Sequence, residues 1–305
     1  MTQVLTFCRY TFTVRALEPL RLPDFAGSML RGAFGHALRR VACMTRMKDC
    51  KGCPLLSTCP YSQIFETPPP EQHSLQKFSA MPNPYVIEPP EGGARALEGG
   101  EEFRFSMVLM GKALFQLPLV ILAWERALAR GLSKSHSRCQ LVSIHREQDD
   151  DAIYQAGGRI QPHDPAGLSP VMMGDNVVLE FTTPLRLQRQ EKNVGLRELD
   201  ARTLLIALAR RYQLLCDTQL RNSQQLDFTA LDEGARNIQL KADMKWRDWT
   251  RYSSRQRQAM TFGGLVGRVE LSGSLAPFAS LLTEGQWLHL GKKAVFGLGH
   301  YRLLY

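Results

Sequence analysis

Long apolar runs are missing from this chain of 305 residues. No stretch of 18 apolar residues occurs, and no secretion or lipidation signal is visible, so a helical membrane span is excluded as an expectation. The common nucleotide fingerprints are missing as well. A P-loop needs its Lys followed by Ser or Thr at the start of a helix, and a dinucleotide site needs strand, GxGxxG and helix in that order; the GKKAVFGLG stretch from Gly291 offers neither. Cysteines are few and odd in number, seven, and four of them fall in one short segment. That argues against a disulfide framework and for metal ligation in a reducing cytoplasm. Acid is the scarcer charge: 29 Asp and Glu against 38 Lys and Arg leave a formal +9, which favours an anionic partner.

What is present is a clustered basic tail. From Lys241 to Met260 six basic residues (Lys241, Lys245, Arg247, Arg251, Arg255, Arg257) face only two acids and alternate with Trp246, Trp249 and Tyr252. Guanidinium groups pair with phosphate oxygens and aromatic faces accept unstacked bases, so this is a composition for binding RNA. It also fits a solvated basic face over two buried tryptophans. Trp246 and Trp249 would share a face of a helix but lie on opposite sides of a strand, and the sequence leaves both placements open. Further on, Gly291, Gly297 and Gly299 surround Lys292 and Lys293, and glycine there is expected to let backbone N–H groups and two ammonium groups approach a polyanion.

The rest of the chain alternates strand and helix. Val4 to Leu17 reads as a strand rich in β-formers. A helix follows from about Asp24, a candidate cap, with Leu30, Phe34, Ala37, Leu38 and Val41 on one stripe. His36 lies well off that stripe, with Arg40 one turn further along the same side and Arg39 nearby, so it groups with positive charge. A surface histidine without a role fits the same phase. Tyr10, on the first strand, reads as packing. Strand patterns recur at 84–87, 103–109 and 141–144, and a helix at 119–129, giving the order β, α, β, β, α, β of a ferredoxin-like unit. The acidic, weakly patterned 151–173 reads as a linker between a first domain, 1–150, and a second, 174–305. In the second, strands at 177–181, 238–246, 262–271 and 295–304 and helices at 199–215 and 275–282 repeat the order.

Cys43, Cys50, Cys53 and Cys59, spaced C-x6-C-x2-C-x5-C, fall in an insertion at 43–65, after the first helix. Four thiolates suit tetrahedral zinc, and an iron–sulfur cluster or separate buried thiols also fit. A closed four-thiolate site leaves no position for substrate, so its role would be structural.

Two stretches at the tail, WRDWTRYSSRQRQAMTFGGLVG and LHLGKKAVFGLGHYRL, resemble the C-terminal signature of the CRISPR-associated precursor-RNA-processing endoribonucleases of the RAMP superfamily. At the front, DFAGSMLRGAFGHALRR followed by DCKGCPLLSTCPYSQIFE resembles the subfamily that carries a cysteine cluster. The resemblance covers both ends and is weakest from about Pro89 to Leu240. It implies an α+β protein of tandem ferredoxin-like, or RRM-like, domains with a cysteine-rich insertion. It also implies cleavage of CRISPR repeat RNA without a catalytic metal: the 2′-OH attacks the adjacent phosphate, leaving a 2′,3′-cyclic phosphate and a 5′-OH. Such chemistry needs a base, an acid and positive donors around the phosphorane; imidazole serves the first two and Lys or Arg the third.

On that resemblance His36 is the first candidate for general base or acid, with Arg40 as phosphate donor and His289 as the alternative histidine, which a backbone hydrogen bond would also explain. His300 reads as a partly exposed residue of the closing strand. Candidate RNA contacts are Arg31, Arg39, Arg247, Trp249, Arg251, Tyr252, Arg255, Lys292 and Lys293. The expected partners are repeat RNA and CRISPR effector subunits, with no membrane and with monomer or dimer left open. A non-catalytic RAMP subunit that holds guide RNA explains the basic and glycine features equally, and a zinc-stabilised interaction module explains the cysteines alone.

Overall fold

The structure, a computed structural model, describes residues 4–69, 81–147, 152–165, 173–248, 250–253, 258–261 and 263–304, with 250–253 and 258–261 described as backbone only. It divides into two compact units, Met1–Gly167 with Leu215–Ser223, and Leu168–Leu214 with Gln224–Tyr305.

In the first unit the elements are β1 (Phe7–Ala16), α1 (Gly27–Ala42), β2 (Tyr85–Glu88), β3 (Glu102–Met110), α2 (Leu117–Arg130) and β4 (Cys139–Arg146). The sheet order is β2-β3-β1-β4, antiparallel throughout, and the short strand Ala152–Gln155 extends it beyond β4. This is the split βαβ arrangement of the ferredoxin-like fold. Part of the expected linker therefore belongs to a sheet. The period-2 pattern of β1 sends Phe12 against Phe105, ring centroids 5.0 Å apart, and both rings against Trp124 of α2. Phe34 of α1 stacks on the same indole at 5.2 Å, so both helices seal one face of the sheet. The N-cap of α1, which starts at Gly27, is Ala26 and not Asp24.

The second unit repeats the order with β5 (Asn176–Leu185), α3 (Ala201–Gln219, its residues from Leu215 on falling to the first unit), β6 (Gln239–Arg247), β7 (Gly264–Ser272), α4 (Ala279–Leu288) and β8 (Tyr301–Leu304). Its sheet runs β6-β7-β5-β8, again antiparallel. Tyr301 packs against Phe181 at 5.2 Å and donates its hydroxyl to the Leu282 carbonyl at 2.7 Å. Three features depart from the sequence reading. A helix at Phe228–Arg236, capped by the Asp227 carboxylate, precedes β6. The backbone of Thr250–Ser253 pairs with Gln258–Thr261 in a hairpin after β6. The expected strand from Val295 is a helical turn at Ala294–Phe296, and only Tyr301–Leu304 is extended.

Candidate functional site

The first unit carries its candidates on α1. Leu30, Phe34, Ala37 and Leu38 are buried, and the same periodicity leaves His36 and Arg40 exposed on the outer side. Gly35 is required here because a Cβ would stand 2.2 Å from the Phe65 ring. That ring belongs to an aromatic stack with Tyr61 and Tyr85, and the Arg31 guanidinium lies over it at 4.2 Å. Arg31 also faces Tyr85, whose burial pushes its phenol up to about 12. Arg39 turns toward the cysteine segment, donating to the carbonyls of Met47 and Lys48 at 2.5 and 2.7 Å. Of the four basic and imidazole groups expected to act together on this helix, His36 and Arg40 share the exposed face, whereas Arg31 and Arg39 are engaged within the protein.

Cys43 closes α1, its N–H donating to the Arg39 carbonyl, and the chain then turns through Cys50, Cys53 and Cys59 into the short helix Pro60–Phe65. No disulfide joins them, and all four line one small pocket with Arg39 and Tyr61. The Thr45 hydroxyl lies 4.0 Å from the Cys43 sulfur and 3.5 Å from that of Cys53. Burial, with Glu66 nearby, pushes the Cys50 thiol up to about 11. Desolvation acts the same way on Cys43, but hydrogen bonds from the Arg46 N–H, the Thr45 hydroxyl and Arg39 outweigh it and hold that thiol below its ordinary value. Among the described residues no three of these sulfurs lie within 4.8 Å of one another, so an ion would have to draw them together. In donor chemistry and shared lining the set fits a soft, tetrahedral ion such as zinc.

The second unit carries the glycine loop. His289 is fully buried at the C-cap of α4 with φ of 58°, its Nδ1 3.1 Å from the Leu298 carbonyl. The His300 ring lies 4.9 Å away and its Nδ1 is 2.8 Å from the Thr182 hydroxyl. His300 precedes β8 rather than lying within it. The glycines serve the protein's own backbone. Gly299 donates to the Pro184 carbonyl, Lys292 to that of Arg186 and Gly297 to that of Ala294. A Cβ at Gly299 would meet the Leu290 carbonyl oxygen at 1.8 Å, and one at Gly291 the Arg186 oxygen at 2.5 Å. Those N–H groups are therefore not offered to a polyanion, contrary to expectation. The loop instead displays the side chains of Lys292 and Lys293, both exposed.

The basic segment begins on β6, an edge strand, which decides the placement of Trp246. Lys241, Lys245 and Arg247 alternate along the exposed side of that strand. Trp246 is 42% exposed and donates its indole N–H to Asp248 at 2.9 Å. Arg251 and Tyr252 lie on the hairpin backbone with their side chains outside the description, and Trp249 and Arg255 lie outside the described residues. One polar contact had no local signal. Tyr10, buried as expected, has its hydroxyl 2.8 Å from Nε2 of His163, a residue of the expected linker.

The architecture is therefore two ferredoxin-like units of the same strand order, the second carrying a folded glycine loop with exposed lysines before its last strand. Residues 179–301 match the CRISPR-associated endoribonuclease Cas6 family and residues 5–165 match the AF_1859_N N-terminal domain family. The chain belongs to the latter, whose model spans more than half of it, and residues 179–301 are similar to the Cas6 family. An uncharacterised protein of Archaeoglobus fulgidus is 23% identical over 289 residues, 92% of each chain. A Thermus thermophilus Cas6 in a product complex superposes with a TM-score of 0.60 at 16% identity, covering 98% of this chain and all of that one. A RAMP protein described as binding different RNA substrates gives 0.52 at 10% identity, covering 98% and 100%. At these identities the structural likeness establishes the fold.

Proposed function

We propose that the chain is an endoribonuclease that binds CRISPR repeat RNA and cuts precursor transcripts by attack of a ribose 2′-OH on the adjacent phosphate. The observation that carries this reading is the contrast between the two candidate histidines. His36 stands exposed on the outer face of α1 one turn from Arg40, whereas His289 is buried and bonded to a backbone carbonyl. In this reading His36 moves the proton, from the attacking hydroxyl or to the departing 5′ oxygen, and Arg40 neutralises charge building on the phosphate. His289 holds the glycine loop in shape as a positioning residue. Lys292, Lys293, Lys241, Lys245 and Arg247 supply phosphate contacts, with Arg251, Arg255, Trp249 and Tyr252 completing the basic segment.

Cys43, Cys50, Cys53 and Cys59 would hold a structural zinc ion that fixes the segment after α1; Arg39, which bonds that segment to the helix, transmits its rigidity toward His36. No divalent ion enters the cutting step. The product RNA would pass to CRISPR effector subunits in the cytoplasm. Incubating the protein with repeat RNA in the presence of a chelator, with magnesium as the parallel arm, tests the reading. One cut per repeat in both arms is expected. Tight binding with no cut in either would instead mark the chain as an RNA-holding RAMP subunit.

A further inference from the structure

Two β-bulges at the edge of the first sheet build a polar pocket that the proposed function does not use. Thr13 pairs with Ser143 and Val14 with Leu141, so Val142 is an extra residue in β4. A regular strand would place Gln140 and His145, five positions apart, on opposite faces. The bulge re-phases it: Leu141 and Ile144 are buried toward the helices, while Gln140, Ser143 and His145 share the other face, opposite Arg15, Thr13 and Thr11. A second shift makes Ile153 an extra residue in the neighbouring strand and sets Gln155 across from Ser143. Arg15, Gln140, Ser143, His145 and Gln155 consequently line one open pocket.

Its chemistry is specific. Gln140 and Gln155 are exposed and make no side-chain hydrogen bond among the described residues. Each carboxamide offers a donor and an acceptor side by side, the pattern of a nucleobase edge. His145 Nε2 lies 3.2 Å from the Ser143 hydroxyl, which orients the ring. Arg15 uses Nε and Nη2 on Glu102, at 3.2 and 2.8 Å, and its Nη1 has no hydrogen-bond partner among the described residues. An apolar ligand would find only Val142 and Ala156 to cover it, and a divalent cation would meet a guanidinium with its one nearby carboxylate already paired.

We infer that this bulged sheet edge binds one unpaired ribonucleotide, its base edge read by Gln140 and Gln155 and its phosphate held by Arg15. The inference rests on the chain being an RNA-binding protein. The pocket lies on an open sheet face, and single-stranded bases are recognised through edge contacts that a stem withholds. Unpaired nucleotides beside a repeat would therefore be selected here.

The full chain is tested with a random single-stranded RNA octamer and with a fully paired hairpin, by fluorescence anisotropy and by photocrosslinking through 4-thiouridine. The octamer is expected to crosslink within residues 139–146 or 152–156. The double variant Gln140→Ala/Gln155→Ala and the single Arg15→Ala should each weaken octamer binding roughly tenfold, the size of one good base or phosphate contact, while hairpin affinity holds. Unchanged octamer affinity in both variants, or no octamer binding by wild type, overturns the inference. Repeat cleavage assayed alongside separates the two ideas: cleavage with unchanged octamer affinity removes the pocket alone, and octamer loss without any repeat cleavage removes the nuclease alone.

Discussion

Replacing Gly299 by Ala measures whether the glycine loop is built for its own backbone. Gly299 has φ of +73°, and its Cβ would come 1.8 Å from the Leu290 oxygen and 2.8 Å from the carbon of the same carbonyl. Nothing flexible stands there to yield. Relief requires parting the Leu290 N–H from the Gly299 carbonyl, 2.9 Å, or the Gly299 N–H from the Pro184 carbonyl, 3.0 Å. The left-handed backbone costs an L residue about 1–2 kcal/mol. Overpacking adds about 1–3 and a lost hydrogen bond about 1, so the sum is roughly 3–6 kcal/mol. Gly157→Ala supplies the control, because Gly157 has φ of +77° but nothing within 4 Å of an added Cβ. It should cost only about 1–2 kcal/mol. In thermal unfolding Gly299→Ala should lower Tm by on the order of 10 °C and Gly157→Ala by only a few degrees. Hydrogen exchange across 290–304 should rise only in the former. Equal Tm shifts would refute the close-approach argument.

Three further outcomes follow from named groups. Gly32 sits in α1 one turn before His36 with open space where a Cβ would go; Gly32→Ala should stabilise the helix by about 0.5–1 kcal/mol. If RNA lies on this face, cleavage should fall while Tm rises, and unchanged cleavage would place the RNA elsewhere. Burial pushes Glu284 from 4.5 up to about 7, and its Oε2 is buried without a hydrogen-bond partner among the described residues. A carboxyl raised in this way holds its proton more tightly folded than unfolded, so its contribution is largest below about pH 4.5 and declines as pH rises through 7. Denaturant titrations of Glu284→Gln should show a gain on the order of 1–3 kcal/mol at pH 8 and almost none at pH 4, and a pH-independent difference would contradict the assignment. Metal analysis of purified protein should find zinc equimolar with chain, lost in Cys50→Ser and in Cys53→Ser; equal metal content in all three would remove the four-cysteine site.

Much of the architecture was legible because its signals are local and periodic. The stripe of Leu30, Phe34, Ala37 and Leu38 located α1 and the phase of His36, and alternation located β1, β3 and β7. Other features depend on contacts distant in sequence. The glycines of the last loop look the same in sequence whether they admit a phosphate or a neighbouring carbonyl, and only the approach of Leu290 and Arg186 decides. His289 looks the same in sequence with or without a carbonyl at its ring, and only the fold shows Leu298 beside it. The bulge at Val142 leaves no composition signal, since Gln140 to Arg146 reads as an ordinary strand until its partner register is known. Ala152–Gln155 was hidden by its acidic, glycine-containing flanks.

The most direct test of the nuclease reading is a single-turnover cleavage of repeat RNA in chelator by wild type, His36→Ala and His289→Ala, with both product ends identified and RNA affinity measured for each. Wild type should leave a 2′,3′-cyclic phosphate and a 5′-OH. His36→Ala should retain affinity and lose roughly 10²–10⁴-fold in rate, the usual contribution of a proton-transfer group. His289→Ala should suffer mainly in stability and binding. Cleavage at the wild-type rate by His36→Ala, or products ending in 3′-OH and 5′-phosphate, would contradict the account.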